Sequence, residues 1–371
     1  MNTAMTSPYF NPAARSWRTQ PLREAPVTFH RSLPGYAPTP LTPVPTLADE
    51  LGVGEVLVKD ESQRLGLSAF KILGASYAIA RALSRRLGVE EALPLERLRE
   101  ELGAAATLTL VAATDGNHGR AVAHVARLLG LPATIYIPPG VAAEAQAAIV
   151  SEGAELVEMA LPYDDVVAHC AAQAGEHTVL IQDTSWEGYQ DVPQWIVDGY
   201  STLVQEVDAQ LSEWGLERLD MVVVPTGVGS LAQAVVHHYR STQHAPSLLV
   251  TEPVVAPSLT TALHTGRVVP VGTGETSMMG LNCGTVSGIA WPVLREGVDA
   301  AVTVGEEQAL AAVKQLGALG VDSGPCGAAT LAALREVAAD PQRRHLVGLS
   351  DDSVVVLLST EGTAANPKGR Q

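Results

Sequence analysis

Short apolar runs and amphipathic stretches alternate along most of this chain. Apolar runs rich in Val, Ile, Leu and Ala occupy 55–59, 107–113, 133–137, 154–158, 179–181, 221–224, 248–251 and 353–358. Each has the length of a strand. Most are followed by apolar residues three and four apart, the helical period, as in the stretch from Ala121 to Leu129. Alternation of this kind predicts parallel βαβ units, and uninterrupted apolar strands predict sheets covered by helices on both faces. The prolines and glycine of 138–140, and Glu152-Gly153, read as turns rather than linkers; no internal repeat or low-complexity segment stands out. The first 25 residues, with Pro, Asn, Ser and Thr, are expected to form a flexible arm or an interface strap.

Four polar turns stand at predicted strand ends, where open α/β sheets place their ligands. The first, 59–71, ends a strand and then opens a helix with Lys71. A cation is electrostatically misplaced at a helix N-terminus, and an amine whose pKa is lowered there becomes the neutral nucleophile that a Schiff base requires. The second, Thr114-Asp-Gly-Asn-His-Gly119, joins a strand to a helix with polar side chains at its tip. The third, Pro225-Thr-Gly-Val-Gly-Ser-Leu-Ala232, has glycines that let backbone amides approach an anion, with the helix dipole adding to the attraction. In the fourth, a buried-type strand runs into Ser359-Thr-Glu-Gly362. Together they describe one cofactor site.

Composition narrows the setting. A chain of 371 residues can bury a large core. Its formal charge of −16 argues against nucleic-acid or anionic-membrane partners, which need basic patches. No apolar run approaches the ~18–20 residues that span a bilayer, and no secretory leader opens the chain. Cys170, Cys283 and Cys326 are far apart and lack metal-ligand spacing, so free thiols in a reducing cytoplasm and no metal centre are expected.

In this order the four turns resemble those of the fold-type II pyridoxal phosphate enzymes, the group of threonine dehydratase, threonine synthase and cysteine synthase. The wording at 31–41, 59–71, 114–120, 182–189 and 359–362 is similar to that of the diaminopropionate ammonia-lyases in particular, and the resemblance spans roughly 28–363. It implies two three-layer α/β/α domains with mostly parallel sheets and the cofactor between them. The large domain would comprise 26–80 and 190–371, the small one 81–189. Lys71 would bind pyridoxal 5'-phosphate covalently beside Phe70, Asn117 would bond its ring hydroxyl, and Gly227, Val228, Gly229 and Ser230 would hold its phosphate. Ser359 or Thr360 would meet the ring nitrogen. Ser68, Thr114, Asp115 and His118 would face a small amino-acid substrate, with Asp115 and Asp183 as candidate acids or bases. A homodimer is usual for the group. The implied reaction is α,β-elimination of 2,3-diaminopropionate to pyruvate and two ammonia.

Two departures keep alternatives open. Asp322-Ser-Gly-Pro-Cys-Gly327 carries Pro325 and Cys326 where a polar pair is expected, and Ser359 stands where Asn is expected. A dehydratase or other β-eliminating lyase, or a silent cofactor-binding homologue, are the other readings. Gly227 to Ala232 also fits a dinucleotide fingerprint, with Glu252 about twenty residues later, but that reading explains neither Lys71 nor the Asn117 turn. Glu252 then becomes a residue near the cofactor ring or a structural hydrogen-bonder. His237-His238 cannot both face one metal from a helix. Trp186 and Tyr189 either line the substrate pocket or close a core.

Overall fold

The computed structural model describes residues 7–22, 25–103, 107–114, 116–216, 218–243 and 245–365. Its strands are β1 (Tyr9–Phe10), β2 (Leu41–Pro43), β3 (Glu55–Asp60), β4 (Thr109–Ala113), β5 (Ala133–Ile137), β6 (Glu155–Glu158), β7 (Thr178–Leu180), β8 (Met221–Pro225), β9 (Ser247–Pro253), β10 (Ala300–Val304) and β11 (Val354–Ser359). Contacts divide the chain into two compact units. One holds 1–22, 38–63 and 203–371; the other holds 23–37 and 64–202, with Lys71 and the whole of its helix.

The first unit is built on seven strands in the order β1-β10-β9-β8-β11-β3-β2. The inner five are parallel, with β11 registered on β3 from Val354 opposite Glu55 to Ser359 opposite Asp60. Their side chains are buried at nearly every position, and at all of them in β8, β9 and β11, which explains the uninterrupted apolar runs. Helix Pro325–Ala338 lies against this sheet through Ala328, Leu331 and Ala332. Successive strands β8, β9 and β10 run one way across the sheet, whereas β11 returns to the other side of β8. The switch point therefore falls between β8 and β11.

Three strands escaped the sequence pattern. β1 and β2 are short antiparallel edges, and the N-terminal stretch supplies β1 by pairing Tyr9 with Ala301. Pro43 sits in β2, at an edge where its missing donor costs little. β10 is Ala-rich, so local propensity is weak and pairing with β9 decides its state.

Deep in the same unit, Lys59 is fully buried and its Nζ donates to Glu206 Oε2 at 2.7 Å, Thr39 O at 2.8 Å and Gln210 Oε1 at 2.9 Å. All three protons of the ammonium are satisfied, which is the condition for a buried charge to be tolerated.

The second unit has four parallel strands in the order β6-β5-β4-β7. β5 and β6 extend to one side of β4 and β7 to the other, so this sheet also has a switch point, between β4 and β7. Trp186 and Tyr189 stack on each other at 4.4 Å and pack against the small core of Val111, Val166, Cys170 and Leu180.

Candidate active site

Both switch points carry the polar turns. In the second unit, Thr114 directly follows the end of β4, and Gln182-Asp183 lie just past the end of β7. Lys71 is the first residue of helix Lys71–Arg86, and a reversal at Leu65 (φ 51°) and Gly66 (φ 78°) precedes it. Phe70 is buried, and Ser68 is half-buried in the approach.

Lys71 Nζ lies 3.0 Å from Asp183 Oδ2. The Asp183 side chain is 14% exposed; burial pushes its pKa up, but the Lys71 ammonium outweighs that and holds it at about 2. Asp183 is thus an anion at neutral pH, a partner for a cation rather than a proton donor. Its loop is anchored on both sides. Gln182 Oε1 accepts from Ala113 N at 3.0 Å, and Tyr189 Oη accepts from Gln182 N and donates to Leu180 O, both at 2.9 Å.

At the asparagine turn, Thr114 Oγ1 accepts from Gly116 N at 3.0 Å and Gly119 N at 3.2 Å, so this hydroxyl shapes the turn that carries Asn117. Gly119 is required there: a β-carbon would lie 2.2 Å from Thr114 Cγ2. Asn117 opens helix Asn117–Leu129 and is half-buried. Asp115 lies outside the described residues. His118 is 4% exposed, and its Nε2 lies 2.7 Å from the Ile181 carbonyl, so Nε2 carries the proton. Burial lowers its pKa, with Asp183 and Lys71 acting on it in opposite senses. Its Nδ1 is buried with no hydrogen-bond partner among the described residues.

In the first unit, β8 leads into the loop of Gly227, Val228 and Gly229, and helix Ser230–Ser241 begins directly after it. Gly229 has φ of 100°, and a β-carbon on it would meet Leu294 Cδ1 at 2.8 Å; one on Gly227 would meet Gly280 O at 2.8 Å. No acceptor among the described residues takes the amides of 227–229. Amides left without an acceptor at a helix start are an anion cradle.

At the end of β11, Ser359 donates to Ser323 Oγ at 2.8 Å, and both are buried. Gly327 lies beneath them, since a β-carbon there would come within 2.9 Å of Ser359 Oγ. Sequence reading missed Ser323, although it belongs to the stretch singled out at 322–327. Within that stretch Pro325 takes the first helical position, where its fixed φ suits, and Cys326 is 2% exposed in the core. Glu252 is a structural hydrogen-bonder. Its carboxylate caps helix Ser258–Thr265, accepting from Leu259 N at 2.7 Å and from Thr260 N and Oγ1, both at 2.8 Å. Both oxygens are thereby occupied, which removes the ribose-binding role of a dinucleotide site. His238 Nε2 pairs with Asp208 at 2.6 Å.

Each unit by itself fits part of pyridoxal phosphate: the first has free amides and a helix start for a phosphate and hydroxyls at Ser359 and Thr360, and the second has an amine at Lys71 and a bare buried imidazole nitrogen at His118. A lysine-bearing half and an anion-cradling half, each at the switch point of a parallel sheet, are the features of a pyridoxal phosphate enzyme of fold-type II.

The chain belongs to the pyridoxal-phosphate dependent enzyme family, whose sequence model matches residues 33–361. It is 39% identical over 349 residues to diaminopropionate ammonia-lyase of Escherichia coli K12, covering 90% of this chain and 86% of that one. The Salmonella typhimurium enzyme of the same name is 36% identical over 362 residues, covering 91% and 88%. The crystal structure of the E. coli enzyme in complex with D-serine superposes with a TM-score of 0.86 at 34% identity, covering 98% of this chain and 96% of that one. Among the described residues no helix is long and apolar enough to cross a membrane.

Proposed function

We propose that this chain is a carbon–nitrogen lyase that converts 2,3-diaminopropionate and water to pyruvate and two ammonia, as a cytoplasmic homodimer. The observation that carries the chemistry is the pairing of Lys71 with Asp183 at the switch point of the smaller sheet. The choice of substrate rests on the likeness to diaminopropionate ammonia-lyases, one of which is known as an aminoacrylate-PLP azomethine complex.

Bound pyridoxal phosphate supplies an electron sink for the pair left on the substrate's α-carbon when its proton departs. The protein's residues do the rest. Lys71 would carry the cofactor, and its free amine would take a proton at Nζ. Asp183 stabilises the ammonium so formed and orients it. Asn117 bonds the ring hydroxyl from the start of its helix. The amides of 227–230 hold the phosphate without a formal charge, which matters in a chain of net charge −16. Thr360 is the hydroxyl left to meet the ring nitrogen, because Ser359 is turned to Ser323. A hydroxyl does not force a proton onto that nitrogen. Asp115 takes the α-proton of one substrate enantiomer while Lys71 serves the other, and Ser68 and His118 face the substrate.

A serine-like substrate is the second reading, favoured by the D-serine bound in the E. coli structure. Purified enzyme incubated with β-amino and β-hydroxy amino acids of both configurations, with pyruvate and ammonia assayed, separates the two. Two ammonia per pyruvate from diaminopropionate, at a kcat/KM well above that for serine, is expected. A preference for serine would overturn the substrate assignment, and no turnover of any member would point to a silent homologue.

A further inference from the structure

Within the second unit, the helix that begins at Lys71 is pressed against residues 196–200 of helix Asp191–Glu213 through two glycines. A β-carbon on Gly74 would lie 2.5 Å from Tyr200 Cε1 and 2.7 Å from Ile196 Cγ2, and one on Gly199 would lie 2.5 Å from the Leu73 carbonyl oxygen. The Tyr200 ring therefore rests directly on the backbone of Gly74, which shares a helix face with Lys71 three residues earlier. The same ring contacts Phe70, centroid to centroid, at 4.7 Å. Tyr200 is 1% exposed, wedged between the residue before Lys71 and the glycine one turn after it.

No described residue hydrogen-bonds the hydroxyl of this buried phenol, and Lys71 and Asp183 are the charges that act on it. A phenylalanine would fill the same space without burying a polar atom, so packing alone does not account for tyrosine here. Burial pushes the phenol up to about 12, while the Lys71 ammonium draws it down, so Tyr200 keeps its proton at neutral pH. Asp183 is ionised and can only accept. It can take an N–H from either form of Lys71, but it offers no donor to the lone pair of the neutral amine. A protonated phenol can accept from the ammonium and donate to the amine's lone pair.

We propose that Tyr200 is a positioning residue for Lys71, holding Nζ in place in both of its protonation states through one hydroxyl that changes from acceptor to donor. The proposal rests on Lys71 being the cofactor-bearing base. When Nζ takes a proton from the substrate's α-carbon, the C–H bond breaks, an N–H bond forms, and Tyr200 turns its lone pair to the new ammonium without losing its own proton. Gly74 and Gly199 have their place in this scheme: they let the phenol come close enough.

Tyr200→Phe keeps the ring and removes the hydroxyl. Full-length protein freed of cofactor is mixed with pyridoxal phosphate across a pH series, and the growth of visible absorbance is timed. The attachment rate follows the fraction of neutral Lys71. The variant loses a contact to each form, and the charge-assisted one to the ammonium is the stronger, so its midpoint should move down by about one pH unit. Its kcat should fall by up to about 100-fold with KM nearly unchanged, the cost of a misplaced base. An unchanged midpoint and kcat, with or without a change in urea midpoint, would overturn the proposal. If Tyr200→Phe does not fold, 3-fluorotyrosine at position 200 keeps the shape and makes the hydroxyl more acidic; the same pH profile as the natural protein would then overturn it. Failure of the underlying reading looks different: Lys71→Ala would still gain the cofactor's mass after borohydride reduction, whatever Tyr200 does.

Discussion

Asp183 Oδ2 sits 3.0 Å from Lys71 Nζ, joining residues 112 apart in the chain. The carboxylate is held at about 2, below its ordinary 3.8, so its contribution to stability is complete above about pH 3.8 and is lost as pH falls through about 2. The shift corresponds to about 2 kcal/mol. In protein freed of cofactor, Asp183→Asn should lower the unfolding free energy near neutral pH by roughly that amount and flatten its decline in acid. Urea titrations between pH 2 and 7 measure both. Equal stability at pH 7 would remove the pair from the structural account.

Gly229 tests the phosphate cradle. Its left-handed backbone and the 2.8 Å approach to Leu294 leave no room for a β-carbon, which would point into the protein interior rather than toward the phosphate. Gly229→Ala should therefore displace the loop amides and weaken pyridoxal phosphate binding by about tenfold or more, since each ~1.4 kcal/mol is a factor of ten. Fluorescence titration with the cofactor reports this. Unchanged affinity in a folded variant would mean that 227–230 does not hold the phosphate.

Asp115 separates base chemistry from turn chemistry. Asp115→Asn should retain the cofactor's visible band yet slow one enantiomer of diaminopropionate more than the other, by roughly 10²- to 10⁴-fold. Separate kinetic runs on the D and L forms decide it. Similar losses for both would leave Asp115 a turn residue.

Glu252 offers a prediction about stability alone. Burial pushes its carboxyl from 4.5 up to about 7 in spite of its donors. A raised folded-state pKa means that the associated stability is present below about pH 4.5 and is lost as pH rises through about 7. The loss amounts to about 3 kcal/mol. Glu252→Gln should lack this decline, although it gives up charge-assisted caps on helix Ser258–Thr265. Chemical unfolding of both proteins at pH 4.5, 6 and 7.5 shows whether the slopes differ.

Much of the site was legible because its chemistry is written locally. The glycines of 227–229, Lys71 at a helix start and Asn117 at the tip of a turn each sit at the boundary between two periodicities, and such boundaries are visible in a linear string. All eight strands expected from apolar runs exist, with ends shifted by a residue or two. By itself the sequence determined the parallel α/β class and the cofactor, and it singled out Lys71 as the lysine proposed to carry it. It also located the turns proposed to carry the chemistry, since backbone geometry at a strand end depends on neighbouring residues. Tertiary structure alone decided that β11 inserts between β8 and β3, that β1, β2 and β10 are strands, that Ser323 bonds Ser359, and that Glu252 caps a helix. It also placed Asp183 against Lys71 and Tyr200 over Gly74. A glycine inside a helix costs about 1 kcal/mol locally and carries no local signal of its purpose. That purpose is a close approach by a residue more than a hundred positions away, and only the packed chain brings the two together.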